Sequence, residues 1–119
     1  MTAKDYKDLI AGRKAFGLAL MIYRETSDFP SEEKYGLISQ LRRAAISIPS
    51  NIAEGEGRNA KDFQRYLFIA LGSLKELETQ ILISDALGYL GKGKAILLME
   101  KASEIGRLMH GLSRSLIKQ

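Results

Sequence analysis

The stretch FQRYLFIALGSLKELETQI, residues 63–81, decides the fold of this 119-residue chain. Its apolar residues recur at alternating spacings of four and three, the period of one helix face, and such a seam packs lengthwise against near-parallel helices. The seam consists of Phe63, Leu67, Ala70, Leu74, Leu77 and Ile81. The stretch therefore predicts a long helix within a bundle, capped at its start by Asn59 and ending around Leu87.

Two other segments show a helical period. The first covers about residues 9–27, and its stripe consists of Leu9, Phe16, Leu20 and Tyr23. The last covers about residues 94–118, and its stripe consists of Leu98, Ala102, Ile105, Met109, Leu112 and Leu116. Together with the segment between Pro30 and Gly55 they predict an all-α, antiparallel up-and-down four-helix bundle, as a single domain over residues 1–119.

The second helix of this bundle contains a proline. Its stripe consists of Leu37, Leu41, Ala44, Ile48 and Ile52. Because the stripe keeps its phase across Pro49, we expect one continuous helix that is kinked near that residue, where a backbone hydrogen bond is missing. Ser31, followed by Glu32 and Glu33, is typical of an N-cap with acids in the first turn, and residues 55–57 form the next break.

Composition excludes several classes of protein. The chain is 45% hydrophobic and 27% charged, which is typical of a folded domain. It has no cysteine, so disulfide scaffolds and thiolate metal sites are excluded. It has neither an apolar run of roughly 18 residues nor the apolar segment of a secretory signal. We therefore expect a cytoplasmic protein without membrane contact.

Few residues suit catalysis. His110 is the one histidine, and Arg107 stands three positions before it, where a di-iron bundle would need glutamate. The alternative is a carboxylate cluster for acid–base work or Mg²⁺ binding, in which Glu54 and Glu76 would carry hydrolysis. Its candidate members are Glu54, Glu56, Glu76 and Glu78. Solvated carboxylates are commoner, so we expect no enzymatic activity, no metal and no cofactor.

Basic residues exceed acidic ones by 18 to 14, which favours anionic partners. Two groups of bases are candidate nucleic-acid contacts. One flanks the break at residues 55–57 and consists of Arg42, Arg43, Arg58, Lys61 and Arg65. The other follows one face of the last helix and consists of Arg107, Arg114 and Lys118. Repeated in a ring of subunits, either group would multiply phosphate contacts; the alternative is an ordinary basic surface.

Apolar residues outside the core seam predict self-association. Phe68, Ile69 and Ile83 lie off the seam of the third helix, where large exposed apolar groups usually mark a contact surface. The outward positions of the second helix are small and polar and allow close approach; those predicted to join the interface are Ser47, Ser50 and Asn51. The alternatives are a broad core stripe for the third helix and a solvated face for the second.

Residues 35–58, YGLISQLRRAAISIPSNIAEGEGR, resemble the signature of four-helix-bundle proteins encoded in intervening sequences of bacterial 23S ribosomal RNA genes. The resemblance continues in KDFQRYLFIALGSLKELETQILISDALGYL, residues 61–90, and includes Phe29 and Pro30. It implies an all-helical bundle that assembles as a homopentameric ring without known catalytic activity. Related bundles serve as accessory factors of reverse transcriptases, which the resemblance adds as an alternative partner.

The chain departs from the family pattern at two positions. Gly12 stands where the first-helix motif commonly has an aromatic, and Glu56 stands where an aromatic often separates the two glycines. Local packing there is left open. The sequence thus favours a non-enzymatic oligomeric accessory protein that binds RNA or DNA, with a protein-recruiting scaffold as the alternative.

Overall fold

Four helices pack side by side around one core. The computed structural model describes the backbone of residues 3–117 and the side chains of residues 10–117. The helices are α1 (Ala3–Thr26), α2 (Leu37–Gly55), α3 (Ala60–Ala86) and α4 (Lys94–Ile117). Each helix packs against the next one along the chain, and α4 closes the bundle against α1. The predicted all-α four-helix bundle is therefore confirmed, and every helix within residues 3–117 is too short or too polar to span a membrane.

Side-chain contacts between α1 and α4 show that these helices run antiparallel. Lys14 Nζ lies 3.2 Å from a Glu104 carboxylate oxygen, and Lys94 Nζ lies 3.4 Å from a Glu25 carboxylate oxygen. The later residue of α1 thus meets the earlier residue of α4. Both pairs are exposed enough that each adds at most about 1 kcal/mol, so they report the order of the helices more than they stabilise it.

The predicted seams of α3 and α4 form half of the buried apolar core. None of their side chains is more than 3% exposed. Leu41, Ala44, Ile48 and Ile52 of α2 are buried as well, while Leu37 is partly buried against them. Full burial of a Leu, Ile or Phe side chain stabilises a fold by about 1.5–3 kcal/mol, so this shared apolar interior is the main source of stability.

The apolar stripe predicted for α1 does not face the core, so that prediction was wrong. Phe16, Leu20 and Tyr23 are 61%, 43% and 39% exposed, and Leu9 lies outside the residues whose side chains are described. The buried face consists of Ala11, Ala15, Leu18, Ala19 and Ile22. Small side chains let α1 approach its neighbours closely: a Cβ added at Gly12 would lie 3.8 Å from Ile52 Cγ2. Close approach therefore selected the alanine-rich face over the face with larger side chains.

Helix α2 is continuous through Pro49, as predicted, and the kink there stays a prediction. The predicted N-cap was wrong, because Ser31–Glu33 form a separate 3₁₀ turn and α2 begins only at Leu37. The Glu33 carboxylate accepts a hydrogen bond from the Leu37 N–H at 3.2 Å. An acidic side chain from the preceding turn thus satisfies one of the free amides at the start of α2.

The two connections at one end of the bundle are tied together. The Tyr89 hydroxyl donates a hydrogen bond to Glu33 Oε2 at 3.0 Å, and its ring lies 5.4 Å from the Phe29 ring. The hydrogen bond to Glu33, burial and the nearby Glu33 and Glu32 charges raise the pKa of Tyr89. We call this end, which includes residues 27–36 and 87–93, the Tyr89 end.

The opposite end contains a sharp corner between α2 and α3. A Cβ added at Gly55 would lie 2.8 Å from Phe63 Cδ1 and 2.9 Å from Tyr66 Cβ, so any larger residue would force these neighbours to shift. Gly57 has a φ of 86°, in the left-handed region that glycine adopts without strain. We call this end, which includes residues 55–65 and 110–117, the Arg58 end.

Replacing Gly55 by alanine should destabilise the fold by about 1–3 kcal/mol, because the added methyl group overpacks the corner against Phe63 and Tyr66. Urea denaturation followed by circular dichroism measures the change. Gly17→Ala is the matched control: Gly17 lies inside α1 with no atom near its added Cβ, so alanine should stabilise by about 0.5–1 kcal/mol. Equal effects of the two substitutions would contradict this view of the corner.

Candidate functional site

A groove with basic side chains runs between α3 and α4 at the Arg58 end. It encloses about 530 Å³, and its lining includes Lys61, Arg65 and Phe68 of α3 and His110 of α4. The three α3 residues are four and seven positions apart, so they share one helix face. The Phe68 side chain is 78% exposed. The groove, called here the α3–α4 groove, thus combines cationic groups with an accessible aromatic ring.

The walls of this groove are held by packing. The Gln64 side-chain amide donates a hydrogen bond to the Ser113 carbonyl oxygen at 3.2 Å, which fixes the register of the two helices. Farther along, a Cβ added at Gly106 would lie 3.2 Å from Leu74 Cδ2, so the helices lie close together there. The groove is therefore a fixed feature of the bundle and does not depend on a loop.

Two arginines pack against one tyrosine beside the groove. The Arg58 and Arg65 guanidinium carbons lie 5.1 and 5.6 Å from the centre of the Tyr66 ring. Arg58 Nε donates to the Glu54 carbonyl oxygen at 2.7 Å, and Arg65 lies 3.8 Å from an Asp62 carboxylate oxygen. Exposed ion pairs of this kind are weak in water, so a phosphate can replace the carboxylate partner.

The predicted basic stripe of α4 approaches the same end. Arg107 and Arg114 are exposed and seven residues apart, which places them on one helix face. Arg107 donates to the Ser103 hydroxyl oxygen at 2.8 Å. Arg114 follows Ser113 directly, so it lies next to the contact between α3 and α4. Lys118 lies outside the described residues.

The structure separates Arg42 and Arg43 from the bases at the Arg58 end. Arg42 Nε donates to the Thr26 hydroxyl at 2.9 Å, and its guanidinium lies 4.5 Å from the centre of the Tyr23 ring, so it ties α2 to the end of α1. Arg43 is exposed on the same part of α2. A continuous helix places both roughly 20 Å from the turn that carries Arg58, so a contact of these two with nucleic acid stays a prediction.

The candidate carboxylates do not form a cluster. The Ser47 and Ser73 hydroxyl oxygens are 2.8 Å apart and fix the register of antiparallel α2 and α3. In that register Glu54 lies opposite the first turns of α3, roughly 15 Å along the axis from Glu76. Glu54 pairs with Arg58, and Glu78 pairs with Lys75. Among the described side chains, no group of three carboxylates or histidines could hold a metal ion.

A second surface lies along α1 and α2. It is a groove of about 490 Å³, lined by Phe16, Leu20 and Tyr23 of α1 and by Ile46 and Pro49 of α2, among others. The sequence did not predict Phe16, Leu20 and Tyr23 as surface residues, because their stripe was assigned to the core. The signal that could have identified the true core face is the regular spacing of four, three and four through Ala11, Ala15, Leu18 and Ile22. We call this groove the α1–α2 surface.

The predicted interface residues lie on several faces. Ser50 is exposed and lines the α1–α2 surface. Ser47 and Asn51 are half-buried between α2 and α3, where the Asn51 amide donates to the Ser47 carbonyl oxygen at 2.8 Å. Phe68 belongs to the α3–α4 groove, whereas the next residue, Ile69, projects about 100° away around the helix. Ile69 and Ile83 are both 45% exposed.

Known proteins share this fold. The crystal structure of a protein of unknown function from the S23 ribosomal protein family of Bacteroides thetaiotaomicron VPI-5482 superposes with a TM-score of 0.83, at 24% identity. The match covers 91% of this chain and 98% of that chain. No curated protein matches the sequence. The family model of the 23S rRNA-intervening sequence protein matches residues 7–111, which include nearly the whole bundle. The chain therefore belongs to the 23S rRNA-intervening sequence protein family.

Proposed function

We propose that this protein is a non-enzymatic, oligomeric accessory protein that binds RNA or DNA with the Arg58 end of each subunit. The observation that carries the proposal is the convergence of Lys61, Arg65 and His110 in one groove, with Arg58 and Arg114 beside it. Lysine and arginine bind phosphates and release the counterions that surround a nucleic acid. A nucleic-acid partner also agrees with the expected cytoplasmic location.

Self-association would multiply these contacts. A closed ring needs two different, complementary faces on each subunit. The α1–α2 surface supplies a large apolar face, and the side of α3 with Ile69 and Ile83 supplies a smaller one. Cyclic symmetry would place the Arg58 ends of all subunits in equivalent positions around the ring axis. The family resemblance favours five subunits, so several basic grooves would then meet one nucleic acid.

The proposal contains no chemical step. Glu54 and Glu76 are far apart along the bundle, and the family and its structural neighbour are not known as enzymes. A nuclease would need carboxylates that converge on a metal or on an attacking water. The groups available at the Arg58 end can bind a phosphate, and no such carboxylate group converges on a metal site among the described side chains.

A second candidate is a scaffold that recruits another protein, such as a reverse transcriptase. The α1–α2 surface supports it, since large exposed apolar patches mark protein contacts in general. In the oligomeric nucleic-acid binder another copy of this chain covers the α1–α2 surface, whereas in the scaffold a different protein covers it. If the purified chain stays monomeric and binds no nucleic acid, a foreign protein is the better candidate for its partner.

Light scattering coupled to size-exclusion chromatography should give the mass of a pentamer for the purified chain. Phe16→Glu should dissociate it, because a charge would be buried in the α1–α2 surface. Ile96→Glu on α4 is the matched control, since Ile96 is 68% exposed and Phe16 is 61% exposed. A monomeric parent chain, or equal dissociation by the two variants, would contradict the proposed interface.

Binding of labelled RNA or DNA should weaken steeply as salt is raised, because each phosphate contact releases counterions. The double variant Lys61→Gln, Arg65→Gln should lower both the affinity and the slope of its salt dependence, by about one for each phosphate that the variant no longer neutralises. Fluorescence anisotropy over a salt series measures both. The control pair Lys34→Gln, Lys92→Gln at the Tyr89 end should change neither. Absence of binding at low salt would refute nucleic-acid binding itself.

A further inference from the structure

We infer that the α3–α4 groove binds an unpaired base of single-stranded nucleic acid, stacked on Phe68, with the flanking phosphates on Lys61 and Arg65. This inference rests on the proposed nucleic-acid binding and adds the form of the ligand. It assigns Phe68 a different role from the subunit contact predicted from its sequence position.

The first observation is the exposure of the Phe68 ring. Its ring is 78% exposed, although α3 has buried positions for phenylalanine, such as the one that Phe63 occupies. The ring lies in a groove and not on the apolar α1–α2 surface. The lining combines Leu71 with Lys61, Arg65 and His110, so a partner that covers the Phe68 ring must also accept cationic groups beside it. An aromatic ring among cations is the arrangement with which proteins hold stacked bases of single strands.

The spacing of the cations supports the same ligand. Lys61 and Arg65 precede Phe68 by seven and three residues, which places them roughly 10 and 5 Å along the helix axis from it. A strand that follows the groove with one base on Phe68 therefore passes both cations with its backbone. The Arg65 side chain is largely exposed, with its guanidinium 5.6 Å from the centre of the Tyr66 ring and 3.8 Å from an Asp62 carboxylate oxygen, so it is accessible to a phosphate.

The size of the groove favours a single strand over a duplex. Its volume of about 530 Å³ lies in the range of pockets that hold small molecules, so it suits one base with its sugar and phosphate. In a duplex both faces of each base are covered by neighbouring pairs, and the Phe68 ring has nothing to stack on. A duplex can reach only the basic side chains at the rim.

Asp62 is the unfavourable group in this site. Its carboxylate lines the groove and would repel a phosphate. It is compensated locally: an Asp62 carboxylate oxygen lies 3.8 Å from Arg65, and Asp62 Oδ2 accepts a hydrogen bond from the Asn59 side-chain amide at 3.4 Å. It also lies in the first turn of α3, where the free amides offset a negative charge. The groove thus remains cationic through Lys61 and Arg65 together.

Phe68→Leu tests the inference, since leucine keeps an apolar side chain but removes the aromatic face. Fluorescence anisotropy with a labelled oligothymidine, an oligouridine and a labelled DNA duplex gives the affinities. The variant should bind the two single strands roughly 5- to 150-fold more weakly, the range for removal of one base stack. Duplex affinity should stay within about twofold of the parent, because the backbone contacts remain.

Tyr35→Leu is the matched control. Tyr35 is an 88% exposed aromatic with the Lys34 ammonium 5.5 Å from its ring centre, but it lies at the Tyr89 end. It should leave every affinity unchanged. The inference is overturned if Phe68→Leu spares single-strand binding, weakens duplex and single strand equally, or changes the oligomer mass, which would return Phe68 to the subunit interface. A parent chain that binds neither nucleic acid refutes the proposed function instead, so the two failures are distinguishable.

Discussion

The fixed lengthwise packing of α3 against its neighbours is the constraint on which the rest of the structure depends. Phe63, Leu67 and Leu77 are fully buried along the length of this helix. Gly55 at the corner and Gly106 opposite Leu74 bring α2 and α4 close to it. Interiors packed this tightly do not slide by a residue without opening cavities. The register of α3 against α2 and α4 therefore also fixes which groups its solvent-facing side chains meet.

Several features outside the core follow from that register. Antiparallel packing brings the start of α3 to the end of α4, so Lys61 and Arg65 share a groove with His110. The same packing moves Glu54 away from Glu76 and removes the carboxylate cluster. On the other side of the bundle, the alanines of α1 leave Phe16 and its neighbours in solvent. A basic groove and an apolar surface thus lie on different pairs of helices.

This separation suits an oligomeric binder. The α1–α2 surface and the α3–α4 groove lie on different helix pairs, so a subunit contact on the first does not cover the second. The proposed contact through Ile69 and Ile83 shares α3 with the groove, but Ile83 lies near the opposite end of that helix from Lys61 and Arg65. The apolar surface then supplies most of the association energy, and the basic groove supplies affinity for an anionic strand. Neither task needs a moving part, which agrees with a site built on the first turns of α3 and the last turns of α4.

The sequence by itself determined the helices, their order, the seams of α3 and α4, and the basic character of the chain, because helical period and charge are local properties. It misplaced the core face of α1, since two apolar stripes compete there and only the neighbouring helices decide which one packs closely enough. It also grouped Arg42 and Arg43 with Arg58, although a continuous α2 holds them apart. Which distant side chains share a groove depends on register, and register arises only when the helices pack.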